Sequence, residues 1–223
     1  MNENYKIIAD SEELERFVEW LPMLTLGERF YVSSLARRKY CPLIASNNQQ
    51  LKRFLTKKED IFSKIRQLEI PLGSYTHGNE KEAVPQEALA LYMCVNPRSL
   101  WNGTCNALKS LADVIARGDK TVDPCKMVLN DVKASCSRKI FVVFDIDEKN
   151  DDLLKKSFDI CGEQAYIETR GGYHILVDPK TIPKENKKWY PALKEFSDIC
   201  GDEMSPVPGC TQGGFTVKLF PRL

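Results

Sequence analysis

Long apolar runs, closely spaced cysteines and charge of one sign are all missing from this 223-residue chain. No apolar run approaches the roughly 18–20 residues of a membrane span, so no membrane association is expected. The opening segment, MNENYKIIADSEELE, has no basic stretch followed by an apolar one. It therefore reads as no secretory signal, and a cytoplasmic location is expected. The closest of the eight cysteines, Cys200 and Cys210, are ten positions apart. Zinc sites usually bring cysteines two to four residues apart, so no zinc is expected and buried thiols in a reducing compartment are the simpler reading. Net charge is +1, which excludes a globally basic nucleic-acid binder but not a local basic patch. The chain also lacks internal repeats and low-complexity stretches. Its apolar content is too high, and its charge too balanced, for disorder.

Residues 10–21 have the spacing of a helix. Asp10 can cap it, with Glu13 three positions on and Leu14, Phe17, Val18 and Leu21 on one face. Residues 28–66 then carry ten basic side chains against three acidic ones. The spacing of Leu51, Phe54 and Leu55, and of Ile61, Phe62, Ile65 and Leu68, predicts helices here. The basic residues, Arg37, Arg38 and Lys39 among them, suit either a solvated outer face or a surface that tracks phosphates. A loop is expected over 70–87 and a strand over 88–95. The strand turns through Asn96-Pro97-Arg98-Ser99 into a helix at 100–116. Such a turn places a helix N-terminus beside a strand end, where Arg98 either helps bind an anion or simply sits at the surface.

The last third is the most legible. Strands are predicted over 139–145, 164–169, 173–177 and 214–220, and helices over 151–162 and 186–200, with a turn at Gly171-Gly172. The order β-α-β-β-α-β is the ferredoxin-like, RRM-like arrangement, with helices on one face of the sheet. The expected fold is α+β: an N-terminal helical and α/β module, residues 1–138, packed on a C-terminal βαββαβ module, residues 139–223.

Alternation along the first of these strands puts Phe141, Val143, Asp145 and Asp147 on one face. Two carboxylates two residues apart lie within roughly 7 Å of each other, repel, and are relieved by a divalent cation. An oxygen-only set on a half-open surface favours Mg2+ or Mn2+, ions that also hold phosphate oxygens. His174, one of only two histidines, projects from the same face if the central strands pair as this topology requires. Arg170 and Gly171-Gly172 precede it, and glycines there let phosphates approach the backbone. An Asp-x-Asp can instead cap a turn, and a lone histidine can be structural. It is the combination that points to a shared site.

These residues resemble the archaeo-eukaryotic primase superfamily, the primase–polymerase catalytic domains. The acidic pair ending the strand Phe141–Asp147 is similar to the family's first motif. Thr169-Arg170-Gly171-Gly172-Tyr173-His174 is similar to its small-residue turn and histidine. The segment Asp202-Glu203 through Pro208-Gly209 is similar to its third acid and following turn, although Cys210-Thr211-Gln212 departs from the usual residues after that turn. The resemblance covers about residues 139–220. It implies template-directed nucleotidyl transfer, with Asp145, Asp147 and a third acid as catalytic residues and metal ligands. Asp202 is preferred as that acid over Asp198 and Glu203. The resemblance further implies His174, Arg170, Gly171, Gly172 and Lys218 at the nucleotide, and Arg37, Arg38, Lys39 and Arg98 on the nucleic acid. Nucleoside triphosphates, a template and a helicase or other replication subunit are the implied partners, and a phage, plasmid or other mobile element a fitting setting. A metal-dependent nuclease and a non-catalytic binding module of the same fold are the competing expectations.

Overall fold

The computed structural model describes residues 3–78, 81–201 and 203–222. Helix α1 (Ser11–Trp20) begins as the sequence predicts: the Asp10 side chain accepts a hydrogen bond from the Glu13 amide, and Leu14 and Phe17 are buried. Of the two helices expected next, the one around Leu51–Leu55 is instead part of β2 (Asn48–Thr56), which forms a long antiparallel hairpin with β1 (Glu28–Arg37), whereas the one from Ile61 forms as the short helix α2 (Ile61–Arg66). Leu51, Phe54 and Leu55 fit a helical spacing, but ladder pairing with β1 overrides it. A two-residue hairpin, β3 (Thr76–His77) with β4 (Glu82–Ala83), interrupts the expected loop. The fully buried strand β5 (Leu89–Cys94) pairs with β1. A short β6 (Arg98–Ser99) then leads into α3 (Leu100–Arg117), which packs on α4 (Pro124–Ala134).

The second half opens with β7 (Val142–Ile146), α5 (Asp151–Cys161), β8 (Ala165–Glu168) and β9 (Tyr173–Val177). Only residues 189–194 of the expected helix at 186–200 are helical, as α6 (Trp189–Lys194). The chain straightens early into β10 (Asp198–Ile199), which pairs antiparallel with β7. The fourth strand of the βαββαβ unit is therefore β10, not residues 214–220. The sheet order β10-β7-β9-β8 places the first and third strands of the unit at its centre, as expected.

The remainder of the chain corrects the boundary drawn at residue 138. Strands β11 (Met204–Pro206) and β12 (Thr211–Gln212) pair with β5 of the first sheet, and β13 (Phe215–Thr216) pairs with β12. Strand β14 (Lys218–Phe220) crosses back to the edge of β8. The result is a seven-stranded and a five-stranded sheet joined through an α+β fold whose ladders are all antiparallel. Val142, Phe144, Ile146, Tyr173, Ile175 and Val177 form one face of the second sheet and pack with Leu154, Cys161 and Leu193 of the helices. Val143, Ile167, Leu176 and Leu219 form the other face and join the core of the first unit.

Two polar clamps fix this junction. Asn96, fully buried, donates to the Phe141 carbonyl at 2.8 Å and accepts from the amides of Ile140 and Phe141, so it holds the start of β7. Arg138 makes a two-pronged ion pair with the buried Glu28, 2.8 Å at each contact. That guanidinium holds the Glu28 carboxyl at about 2, well below its ordinary range.

Candidate active site

Alternation along β7 aims Val143 and Asp145 at the first unit, and the ladder sets Asp145 directly opposite His174 on β9 and Asp198 on β10. Facing residues in an antiparallel ladder project to the same side of the sheet. Asp145 Oδ1 lies 3.4 Å from His174 Nε2. On the other side of the ring, Nδ1 is 3.2 Å from Ser205 Oγ and 3.7 Å from Cys200 Sγ. Asp147, one strand period further on, is exposed and pairs with Lys39 at 3.6 Å.

Asp145, Asp147 and His174 line one cavity of about 510 Å³. The first sheet supplies its other wall through Tyr31, Ser33, Leu35 and Arg37, alternate residues of β1, and through Gln50, Arg53, Tyr92, Met204 and Gln212. Lys39 and Lys133 add positive charge. The Asp145 carboxyl is pushed up to about 6, first by burial and then by the charge of Asp147, with Asp198 adding to the shift and Lys39 and Arg37 opposing it. A divalent cation would offset both the burial and the repulsion, and the donors are hard oxygens. The acid pair thus offers oxygen donors of the kind a divalent cation takes.

The third acid divides the three sequence candidates. Asp202 lies outside the described residues. Glu203 is held by Arg98 at 2.8 Å, Lys139 at 3.5 Å and Asn96 at 3.2 Å, and it does not line this cavity. Asp198 does not line it either, but it faces Asp145 across the β7–β10 ladder, is exposed, and its charge helps raise the Asp145 carboxyl, so it becomes the candidate best placed to complete the set.

The remaining site residues separate clearly. Arg37 lines the cavity, donates to the Tyr92 hydroxyl and lies over the rings of Tyr40 and Tyr92. Its Nε is buried with no hydrogen-bond partner among the described residues. Lys39 lines the cavity too; Arg38 is exposed and does not. Arg98 corrects the expectation of a phosphate contact: its side chain is 4% exposed and committed to Glu203. Arg170 stacks 5.0 Å from the Tyr40 ring and donates to the Gly213 carbonyl, beside the cavity rather than in it.

The glycine turn also takes a different role from phosphate approach. The amides of Gly171 and Gly172 point at Thr169 Oγ1, at 3.3 and 3.0 Å. A Cβ on Gly172 would sit 1.8 Å from the Ile146 carbonyl oxygen, so this glycine allows the β8–β9 turn to press against the end of β7. Lys218 is a second correction. Its partner Glu168 pairs in turn with Tyr173, so the ladder places Lys218 on the helix-covered side, opposite His174. Sequence reasoning missed Cys200, which follows β10 by one residue and reaches the same cavity. No family model, curated protein or solved structure matches the chain.

Proposed function

We propose that this protein is a primase- or polymerase-like nucleotidyltransferase that adds nucleotides on a nucleic-acid template with the help of a divalent metal. The observation that carries the reading is the direct opposition of Asp145 and His174, with Asp147 beside them, in a cavity whose far wall is basic. Asp145, Asp147 and Asp198 would hold the metal, whose chemistry is to neutralise phosphate charge and to acidify the attacking hydroxyl. His174 would donate a hydrogen bond to the triphosphate of the incoming nucleotide, and Ser205 at its Nδ1 orients the ring for that task. Lys39, Lys133 and Arg37 would contact the template backbone, since phosphate binding needs positive charge on a surface the strand can reach.

Incubation of the full chain with single-stranded template, nucleoside triphosphates and Mn2+ tests this. Labelled product is expected, and Asp145→Ala should abolish it. Product that survives in a clean Asp145→Ala preparation would remove the assignment. Cleavage of the template without added nucleotides would favour a nuclease on the same residues. Metal-independent binding without turnover would favour a binding module.

A further inference from the structure

We propose that Asp145, His174 and Cys200 form a binding site for a thiophilic divalent ion of the zinc class. One ligand atom from each residue lies within 4.8 Å of the other two. Four-coordinate zinc, with bonds of about 2.0–2.3 Å, needs donors about 3.3–3.8 Å apart. The Asp145 contact of 3.4 Å is to Nε2 and the Cys200 contact of 3.7 Å is to Nδ1, so one of them has that spacing from the ligating nitrogen and the other donor lies within 4.8 Å of it. The widest allowed separation closes by about 1 Å of side-chain rotation to reach it.

The donor set is one oxygen, one nitrogen and one sulfur. Imidazole and thiolate donors favour zinc-like ions over magnesium, for which an oxygen set is preferred. All eight cysteines are thiols, so binding requires the Cys200 S–H to give its proton to solvent as the metal–sulfur bond forms. Ser205 beside Nδ1 is the kind of outer partner that fixes a ligating imidazole and leaves Nε2 toward Asp145. The cavity in front leaves a fourth position open to water or a phosphate oxygen. Because Asp145 belongs to both donor sets, the thiophilic ion would displace the hard one and inhibit transfer; this consequence, unlike the binding itself, rests on the function proposed above.

Cobalt(II) is the probe, because cobalt–thiolate bonds absorb in the near ultraviolet. Chelator-treated full-length protein should bind one Co2+ with a sulfur-to-metal charge-transfer band, and Zn2+ should bleach it. Cys200→Ser should lose the band and bind Zn2+ at least about tenfold more weakly, since even outer-shell changes cost about 10–100-fold. The exposed-thiol control Cys125→Ser should keep both. No band, or a band that persists in Cys200→Ser, overturns the site. Should Cys200→Ser fail to fold, X-ray absorption of the zinc-loaded native chain decides. One sulfur at about 2.3 Å supports the site, and a shell of only nitrogen and oxygen overturns it.

The transfer assay is read separately, with each variant compared against its own zinc-free rate. Zinc should inhibit the native chain, and Cys200→Ser should need about tenfold more zinc for the same inhibition. A cobalt band in a protein with no transfer activity sinks the proposed function and leaves the ion site standing. Transfer activity without the band does the reverse. A band without inhibition sinks the competition alone.

Discussion

Asp145 and His174 are direct partners across the two central strands of the second sheet, the acid 3.4 Å from the imidazole Nε2. Burial and neighbouring acids raise this carboxyl, and the same burial points it into the cavity. Function and stability therefore pull against each other at this position.

Asp145→Asn should make the metal-free protein more stable at neutral and alkaline pH. The folded carboxyl titrates at about 6, against an ordinary value of 3.8, so the native state binds its proton more tightly than the unfolded chain. Its ionisation weighs on the fold above pH 6, and that load fades as pH falls toward 3.8. Screened by solvent, the gain at pH 8 should be about 1–2 kcal/mol, or about 2–4 °C of Tm for each kcal/mol. Thermal melts in chelator at pH 8 and pH 4 check it; a gain that is equal at both pH values contradicts the assignment.

Gly172→Ala and Gly171→Ala should behave very differently despite being neighbours. The new methyl at 172 meets the Ile146 carbonyl at 1.8 Å, whereas at 171 the nearest atom is Lys39 Nζ at 3.9 Å. Forced movement of β7 should cost at least about 2–3 kcal/mol at 172, and the change at 171 should stay within about 0.5 kcal/mol. Denaturant unfolding of the two variants measures the contrast.

Asp198→Asn should cut metal-dependent nucleotide incorporation by about 10²-fold while leaving Tm nearly unchanged, because the residue is exposed and faces Asp145. Glu203→Gln should instead lower stability by about 3 kcal/mol, since it strips the buried Arg98 of its ion pair. Parallel activity and melting measurements on both variants identify the third acid.

Lys39→Ala and Lys133→Ala should each reduce the slope of log affinity against log salt by about 0.7 for single-stranded nucleic acid. Arg38→Ala should leave that slope unchanged, because Arg38 does not line the cavity. Fluorescence anisotropy across a salt series reads the slopes directly.

The central strands were legible because their chemistry alternates cleanly. Phe144 and Ile146 face the helices while Val143 and Asp145 face the other way, and five-residue strands are long enough to display that period. Strand β10 has two residues and shows no period, so the helical spacing upstream ran over it, left Asp198 ranked behind Asp202 and hid Cys200. The β1–β2 hairpin was misread because Leu51, Phe54 and Leu55 satisfy a helix as well as a strand, and only pairing with β1 decides between them. Arg98 looked like a surface cation because its partner, Glu203, comes 105 residues later in the chain. Long-range charge pairing leaves no local trace in a sequence.

Strand β5 lies between β1 and the pair β11 and β12, yet those two covering strands come from residues 204–212, more than a hundred positions downstream. During synthesis its far margin is therefore bare while β7 to β10 of the second sheet are being made. Any pause before residue 204 would leave a fully apolar ribbon ready to pair with a stranger. Slow translation across 95–204 should thus send nascent chains toward aggregates or chaperones.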